Sequence, residues 1–326
     1  MMKTLEPPAM PIGRYGLRFV LRAEGRLPQA VGSMWRGLLG RELKEMSRGR
    51  KGAPRTLPSW MAPDKLYEYF IETPPPQDAA VMRLYPRAPH PFVIATPFAE
   101  GEERLPAGSI IEVPVTLLGR ANQLLACVIL ALARAAGGGI GKTRAKAQLL
   151  GVDEIGAGGA RREIFRPGAA LQAVTPLILR APTLPPSAMV EIGFTSPLRL
   201  QMAGRIVKPA DLAPSALLMN IVRRLSMLAA FHGDGPADVD FRTLKEVSLR
   251  TRLIERDLTW RDQHRWSGRA GRKIPLGGIM GRCRVDMSEA APLWPWLWMG
   301  QFLHAGKGTV HGLGGLRLAV VTPLDT

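Results

Sequence analysis

Cysteine is nearly absent from this chain of 326 residues; Cys127 and Cys283 are the only two. Two thiols cannot build a disulfide framework, nor by themselves a four-ligand zinc site, so a reducing cytoplasm is the expected compartment. Acidic residues are also scarce, with 27 Asp and Glu against 44 Lys and Arg, a formal net charge of +17 and a pI near 10.8. Lysine supplies only 10 of those 44 cations, and arginine the other 34. No long apolar run is present. The stretch Leu117–Ala136 is broken by Gly119, Arg120, Asn122, Gln123 and Arg134, too polar for a span of about 20 residues. Met1–Gly13 is proline-rich and lacks the apolar centre of a signal peptide. A soluble protein without a membrane is expected.

What the chain does have is 46% hydrophobic residues, enough to bury a core. Its length suggests two domains of about 150 residues each. So large a positive charge points to a polyanionic partner, nucleic acid before an anionic membrane; the bland alternative is that arginine richness reflects genome composition.

The sequence reads as one plan stated twice. In the first half, Leu17, Phe19 and Leu21 alternate with Arg18, Val20 and Arg22, a half-buried strand with two arginines on its open face. Val31, Met34, Trp35, Leu38, Leu39 and Leu43 then recur at helical spacing. Gly108–Leu118 reads as a strand and Asn122–Ala136 as a helix, followed by the glycine run Gly137–Gly141 and the basic Lys142, Arg144 and Lys146. The second half opens with the strand Met189–Phe194 and a strong helix over Ala216–Phe231. It ends with an apolar helix over Leu293–Leu303, a glycine loop at 306–315 and a strand over Leu316–Val321. Strand, helix, middle strands, helix, glycine loop, strand is the β-α-β-β-α-β ferredoxin-like unit, here in tandem, an α+β fold. The boundaries expected are a first domain over 1–155 with an inserted excursion near 47–104, a Pro/Gly-rich linker over 156–187, and a second domain over 188–326.

Gly141-Lys142-Thr143 comes close to the G-x-x-x-x-G-K-[ST] phosphate cradle, but its first glycine position is Ala136. A cradle needs a strand before the loop and a helix after it. Here a helix precedes, so a P-loop NTPase is a remote alternative. The preferred reading is that glycines let basic loops press their backbone on a nucleic acid, with Lys142, Arg144 and Lys146 supplying charge in one and Lys307 in the other; tight helix-to-strand turns are the structural alternative. Residues Arg242–Lys273 carry ten basic and four acidic side chains, interleaved with Trp260, His264 and Trp266. Cations for phosphates beside rings for unpaired bases suit RNA. Arg265, Arg269, Arg272 and Lys273 are the expected contacts, set against a solvated strand face with core tryptophans. Trp294, Trp296 and Trp298 lie in an apolar helix and read as core.

Several blocks resemble the CRISPR RAMP endoribonucleases that mature precursor crRNA. The C-terminal loop Gly306-Lys-Gly-Thr-Val-His-Gly-Leu-Gly314, preceded by His304, carries the likeness together with Trp35-Arg-Gly-Leu-Leu-Gly40 and Phe70-Ile-Glu-Thr-Pro-Pro-Pro76. Phe194-Thr-Ser-Pro-Leu-Arg-Leu200, Phe231-His-Gly-Asp-Gly235, Asp257-Leu-Thr-Trp260 and Leu276-Gly-Gly-Ile-Met-Gly281 extend it over most of the chain. The resemblance implies two ferredoxin-like domains side by side that bind the hairpin of a CRISPR repeat and cut at its 3′ base without metal. The upstream 2′-OH would attack, leaving a cyclic phosphate and a 5′-OH. The product would stay bound, making the enzyme a subunit of an effector complex.

The departures are specific. Relatives often carry a general-base histidine on or just after the first helix, whereas here no histidine precedes His90. The cysteine cluster of many bacterial relatives is replaced by Ser47–Arg55, so neither zinc nor any other cofactor is expected. These absences resemble the divergent form of type IV CRISPR systems. Arginine, always protonated, is no ordinary base, but it binds phosphate bidentately and stabilises a phosphorane. The sequence therefore offers Arg22, Arg36 and Arg41, with Arg242 as a fourth, as a clamp on the scissile phosphate. Arg36 and Arg41 lie roughly 140° apart on a helix and cannot both face one atom. His304 and His311 flank the last loop and either could be acid or base; His304 reads as packed or capping, and His311, among glycines, as exposed and RNA-binding. His232 reads as a helix-terminus residue and His90 as a loop residue. A RAMP subunit that only binds the hairpin, having lost catalysis, is the alternative function.

Overall fold

The computed structural model describes residues 3–54, 56–74, 88–185, 189–267 and 271–321. The first half runs β1 (Pro11–Leu21), β2 (Gly25–Leu27), α1 (Val31–Ser47), β3 (Phe92–Ile94), β4 (Glu103–Leu105), β5 (Ile110–Leu118), α2 (Leu125–Gly137), β6 (Ala147–Ile155), β7 (Arg161–Phe165) and β8 (Leu177–Ile178). Its main sheet has the order β3-β5-β1-β6-β7, with β8 on the start of β1 and every pairing antiparallel. Leaving out β7 and β8, the order is that of a ferredoxin-like sheet, with the first strand central between the third and the fourth.

The alternation of β1 decides its faces. Tyr15, Leu17, Phe19 and Leu21 are buried against the helices, and Leu17 lies between Val113 of β5 and Val152 of β6. The helical spacing of Trp35, Leu39, Leu43 and Met46 puts one stripe of α1 on that face, where Trp35 stacks on Phe19 at 5.3 Å. On the other face Arg18 bridges Asp153 at 3.2 Å and Glu163 at 2.8 Å, so this expected open arginine is held by its own sheet.

The second half runs β9 (Met189–Leu198), β10 (Gln201–Met202), β11 (Arg205–Ile206), α3 (Pro214–His232), α4 (Phe241–Ser248), β12 (Arg252–Arg261), β13 (His264–Ser267), β14 (Arg272–Pro275), β15 (Gly278–Asp286), α5 (Trp294–Leu303) and β16 (Leu316–Val321). The sheet order β12-β15-β9-β16 repeats that of the first half. Its core joins Val190, Ile192 and Phe194 of β9 to Leu218, Ile221 and Leu225 of α3 and Trp296 and Leu297 of α5. Met10, Ile12 and Leu118 of the first half pack into this same core, so the two cores meet at the start of β1. Among the described residues no helix is long and apolar enough to cross a membrane.

Two expectations are corrected. The stretch 156–187, read as a linker, contributes β7 to the first sheet and β8 to the start of β1. The excursion near 47–104 contains β3, an integral strand of the sheet, besides short helical turns at Pro63–Lys65 and Glu68–Glu72.

Candidate nucleic-acid interface

The first glycine loop runs from α2 into β6. A helix before and a strand after it is the reverse of a phosphate cradle, which removes the NTPase geometry. Gly141 has φ +68°, and a Cβ there would lie 2.3 Å from the Arg26 carbonyl oxygen. The Lys142 amide donates to that same oxygen at 2.9 Å. The loop backbone therefore rests on β2, and only its side chains reach outward; Lys142, Arg144 and Lys146 are all exposed. In the last loop Gly312 has φ +85° and approaches the Ile94 carbonyl of β3, where a Cβ would stand 2.9 Å away. Gly306 and Gly314 likewise meet the protein's own backbone, at the Arg199 and Ala305 carbonyls, and Lys307 alone is exposed at the loop tip. The last loop thereby latches the second half onto the first.

A groove of about 700 Å³ opens between the first loop, the start of α1 and the β13–β14 hairpin. Lys142, Ser33, Arg265, Trp266 and Lys273 all line it. Lys142, far away in sequence, is thus brought to one surface with the hairpin cations Arg265 and Lys273. Register pairs Trp266 with Lys273, and the indole is 66% exposed, so a stacking face stands next to an ammonium group. Arg272 is exposed at the hairpin end, while Arg269 lies outside the described residues. The hairpin base is tied to the approach of α1: Gln263 Nε2 donates to the Gln29 carbonyl at 3.1 Å, and Gln29 Nε2 to the Asp262 carbonyl at 3.3 Å. Helix α1 itself begins at Ala30 with no side-chain cap and no acid in its first turn. Its leading amides and the positive end of its dipole thus have no capping side chain or first-turn acid of their own, and the groove's carboxylate is Glu102. Lys142 is paired with Glu102 at the rim.

Behind the groove, α1 carries Arg36 into the seam between the halves. Arg36 is half-buried, and its Nε has no hydrogen-bond partner. Burial lowers its pKa, with Tyr67 raising and Arg265 lowering it further on. His311 is half-buried, not exposed as its glycine surroundings suggested, and its Nδ1 is likewise without a partner. Burial pushes it down to about 3, and the nearby Arg36, Arg265 and His90 add to the shift. His90 is pushed down to about 4, first by burial and then by Arg36. His304, packed as expected, lies with Nδ1 3.0 Å from the Leu313 carbonyl and is pushed down to about 4 by burial. Arg224 of α3, which sequence reasoning passed over as an ordinary helical arginine, is lowered to about 10 by burial and donates to the Leu303 carbonyl at 3.0 Å. No carboxylate is among the groups that perturb Arg36, Arg224 or His311. The seam is a buried positive field with neutral histidines.

The other three clamp candidates are held separately. Arg22 is exposed just past β1, bonded to the Gln148 side chain and, through its amide, to the Lys146 carbonyl. Arg41 points outward, 3.7 Å from Glu42. Arg242 on α4 has a side chain 90% exposed and pairs with Glu246 at 3.2 Å. No partner is common to the four. Sequence reasoning also missed Trp60, Tyr67 and Tyr69, which lie within Pro54–Arg104, a stretch whose periodicity is too weak to announce its elements.

Comparisons agree with this architecture. Residues 10–207 match the family model AF_1859_N, described as an N-terminal domain, and residues 192–316 match the model of the CRISPR-associated endoribonuclease Cas6. Among solved structures, the chain is similar to a Cas6 product complex, at 17% identity and a TM-score of 0.56 over 94% of this chain and 100% of that one. Thermus thermophilus Cas6 aligns at 14% identity and a TM-score of 0.50 over 96% of this chain and 100% of that one. A partial Cas6-RT-Cas1–Cas2 complex aligns at 15% identity and a TM-score of 0.57, covering 99% of this chain but 48% of that one, so the chain spans about half its length. No curated protein matches. With the doubled β-α-β-β-α-β topology in place, the chain belongs by its residues 10–207 to the AF_1859_N family, and its residues 192–316 match the CRISPR-associated endoribonuclease Cas6.

Proposed function

We propose that this protein binds the repeat hairpin of CRISPR precursor RNA and cleaves it at the 3′ base without metal, then keeps the crRNA as a subunit of an effector complex. The observation that carries the reading is the groove, in which Lys142, Arg265 and Lys273 converge with exposed Trp266 and an uncapped helix start. Cations there neutralise phosphates, and the indole stacks on an unpaired base. Arg144, Lys146, Arg272 and Lys307 extend the basic surface.

In the proposed reaction the upstream 2′-oxygen attacks phosphorus and loses its proton to solvent. The P–O5′ bond breaks, the leaving oxygen takes up a proton, and the products are a 2′,3′-cyclic phosphate and a 5′-OH. Burial pushes His311 down to about 3 and His90 and His304 to about 4, which makes each a weak base near neutral pH. Arg36, a fixed charge without a carboxylate partner, stabilises the phosphorane. Arg22, Arg41 and Arg242 act on neighbouring phosphates. A second reading, hairpin binding without cleavage, is favoured by the lack of any histidine on α1. Incubating end-labelled repeat RNA with the protein in EDTA separates the two. Cut RNA ending in a cyclic phosphate supports the nuclease, and bound but intact RNA supports the binder.

A further inference from the structure

Four strands form the edges of the two main sheets, and three of them are guarded. β12 carries Arg252, Glu255, Arg256, Asp257 and Arg261, β7 carries Arg161, Arg162 and Glu163, and β3 lies under the last glycine loop. Charges and coverings of this kind keep a strand edge from pairing with another chain. Among the described residues β16 has neither. It reads Leu-Arg-Leu-Ala-Val-Val, with one charge and no proline, and it pairs with β9 alone.

Register shows which of its main-chain groups are turned outward. The Thr195 amide donates to the Gly315 carbonyl at 2.9 Å, and Arg317 stands opposite Gly193. By antiparallel alternation the N–H and C=O groups of Leu316, Leu318 and Val320 point away from β9. The Leu318 amide agrees, donating at 3.1 Å to Oε1 of Gln301 on α5. Beside this edge lies a cavity of about 540 Å³, within the range of ligand pockets, roughly 300–1,000 Å³. Trp298 and Phe302 of α5 line it, their rings edge to face at 4.9 Å, together with the β6–β7 turn at 157–159.

Two cations also line the cavity, and no Asp or Glu does among the described residues. Arg14 of β1 lies over the Phe302 ring at 5.1 Å and donates through Nη1 to the Gly156 carbonyl at 2.7 Å. Arg317 is exposed, and strand alternation sets it on the sheet face opposite Leu316 and Leu318.

We propose that the β16 edge accepts an added strand from a partner protein, an extended acidic segment in which apolar residues alternate with carboxylates. Strand addition draws affinity from main-chain hydrogen bonds and specificity from alternate side chains. The apolar side chains of the added strand share the face of Leu318 and Val320, and its carboxylates share the face of Arg317. Charge selects the occupant. A second copy of this chain brings its own +17 and a like strand bearing Arg317, whereas an acidic segment is attracted. The proposal rests on the effector-subunit reading only for who supplies the strand.

The test uses the full chain and fluorescence anisotropy with a labelled synthetic peptide in which valine alternates with glutamate. The peptide should bind saturably, and its counterpart with lysine for glutamate should bind at least about tenfold more weakly. Methylating one alternate set of the peptide's backbone nitrogens should weaken it about tenfold, and methylating the other set should not, which is the signature of a strand. Val320→Pro removes an outward N–H without breaking a bond to β9 and should weaken the peptide about fivefold. Arg317→Glu should weaken it about tenfold and, at an exposed side chain, keeps the test readable if the proline disturbs the sheet. Hairpin binding and cleavage are not read, so their failure leaves this result standing. Absence of saturable binding, equal binding of the lysine peptide, or an equal effect of both methylated sets overturns the proposal. Displacement of the peptide by a short single-stranded RNA that Arg317→Glu no longer binds also overturns it, giving the cavity to nucleic acid. So does a dimer of the protein alone that Val320→Pro dissolves, which gives the edge to a second copy, or peptide binding that appears only when residues 322–326 are deleted.

Discussion

Gly32, in the first turn of α1, sits against the main chain of His311. A Cβ on Gly32 would lie 2.5 Å from the His311 carbonyl oxygen and 2.6 Å from Thr96 Oγ1. Helix, sheet edge and C-terminal loop meet at this one point, and the start of α1 that lines the groove is fixed by it.

Gly32→Val therefore forces the latch open. Overpacking of this kind costs about 1–3 kcal/mol, and the urea midpoint should fall accordingly, with RNA affinity falling alongside. Gly37→Ala on the same helix is the control. Nothing lies within 4 Å of a Cβ at that position, so alanine should raise stability by roughly 0.5–1 kcal/mol and leave RNA binding unchanged.

Arg36→Ala should slow single-turnover cleavage by about 10²–10³-fold, the usual scale for a lost electrostatic stabiliser, while changing hairpin affinity much less. Arg36→Lys should restore little, since an ammonium lacks the bidentate fork. Alanine at exposed Arg41 or Arg242 should show the smaller defect of a neighbouring phosphate contact. If Arg36→Ala cuts at the wild-type rate, the charge-stabilisation mechanism fails.

On the hairpin, Lys273→Glu and Arg272→Glu should weaken repeat binding and reduce the dependence of log K on log salt by about one unit per phosphate contact. Trp266→Ala should lower affinity without moving the melting temperature, because its ring is 66% exposed. Affinity and salt slope measured by filter binding across a salt series check all three variants.

Acid should unfold the protein early. His90, His232 and His304 are each pushed down to about 4 in the fold, chiefly by burial, against about 6.5 in an unfolded chain. The unfolded state then holds more protons throughout the interval between those values. Stability from these residues is complete above about pH 6.5 and is lost as pH falls toward 4. The urea midpoint should drop steeply over that interval, and His304→Gln should flatten the drop, whereas a level profile from pH 7 to 4.5 would contradict the buried-neutral assignment.

The sequence made the doubled topology readable because β1 and α1 obey two clean periods and both glycine loops fall between a helix and a strand. It hid β3, whose three residues are all buried and show no alternation. The groove was half legible: the basic stretch around Arg265 and Lys273 announced itself, but nothing local says that Lys142 shares its wall. His311 was misjudged for the same reason, since glycines in sequence suggest exposure and only the docking of the loop on β3 and α1 buries it. Arg224 and Tyr69 gave no signal, because a single arginine or tyrosine on a helical stretch looks like surface until the opposite half covers it.

The Gly32–His311 contact joins positions near opposite ends of the chain. During synthesis the first half can close its own sheet once β6 has left the ribosome, but the latch must wait for the last loop to emerge. The basic hairpin is translated before that loop, so a growing chain exposes its cations before it owns a groove. A chain truncated before residue 306, which lacks the last loop and so the latch, should therefore hold RNA only loosely and without discrimination.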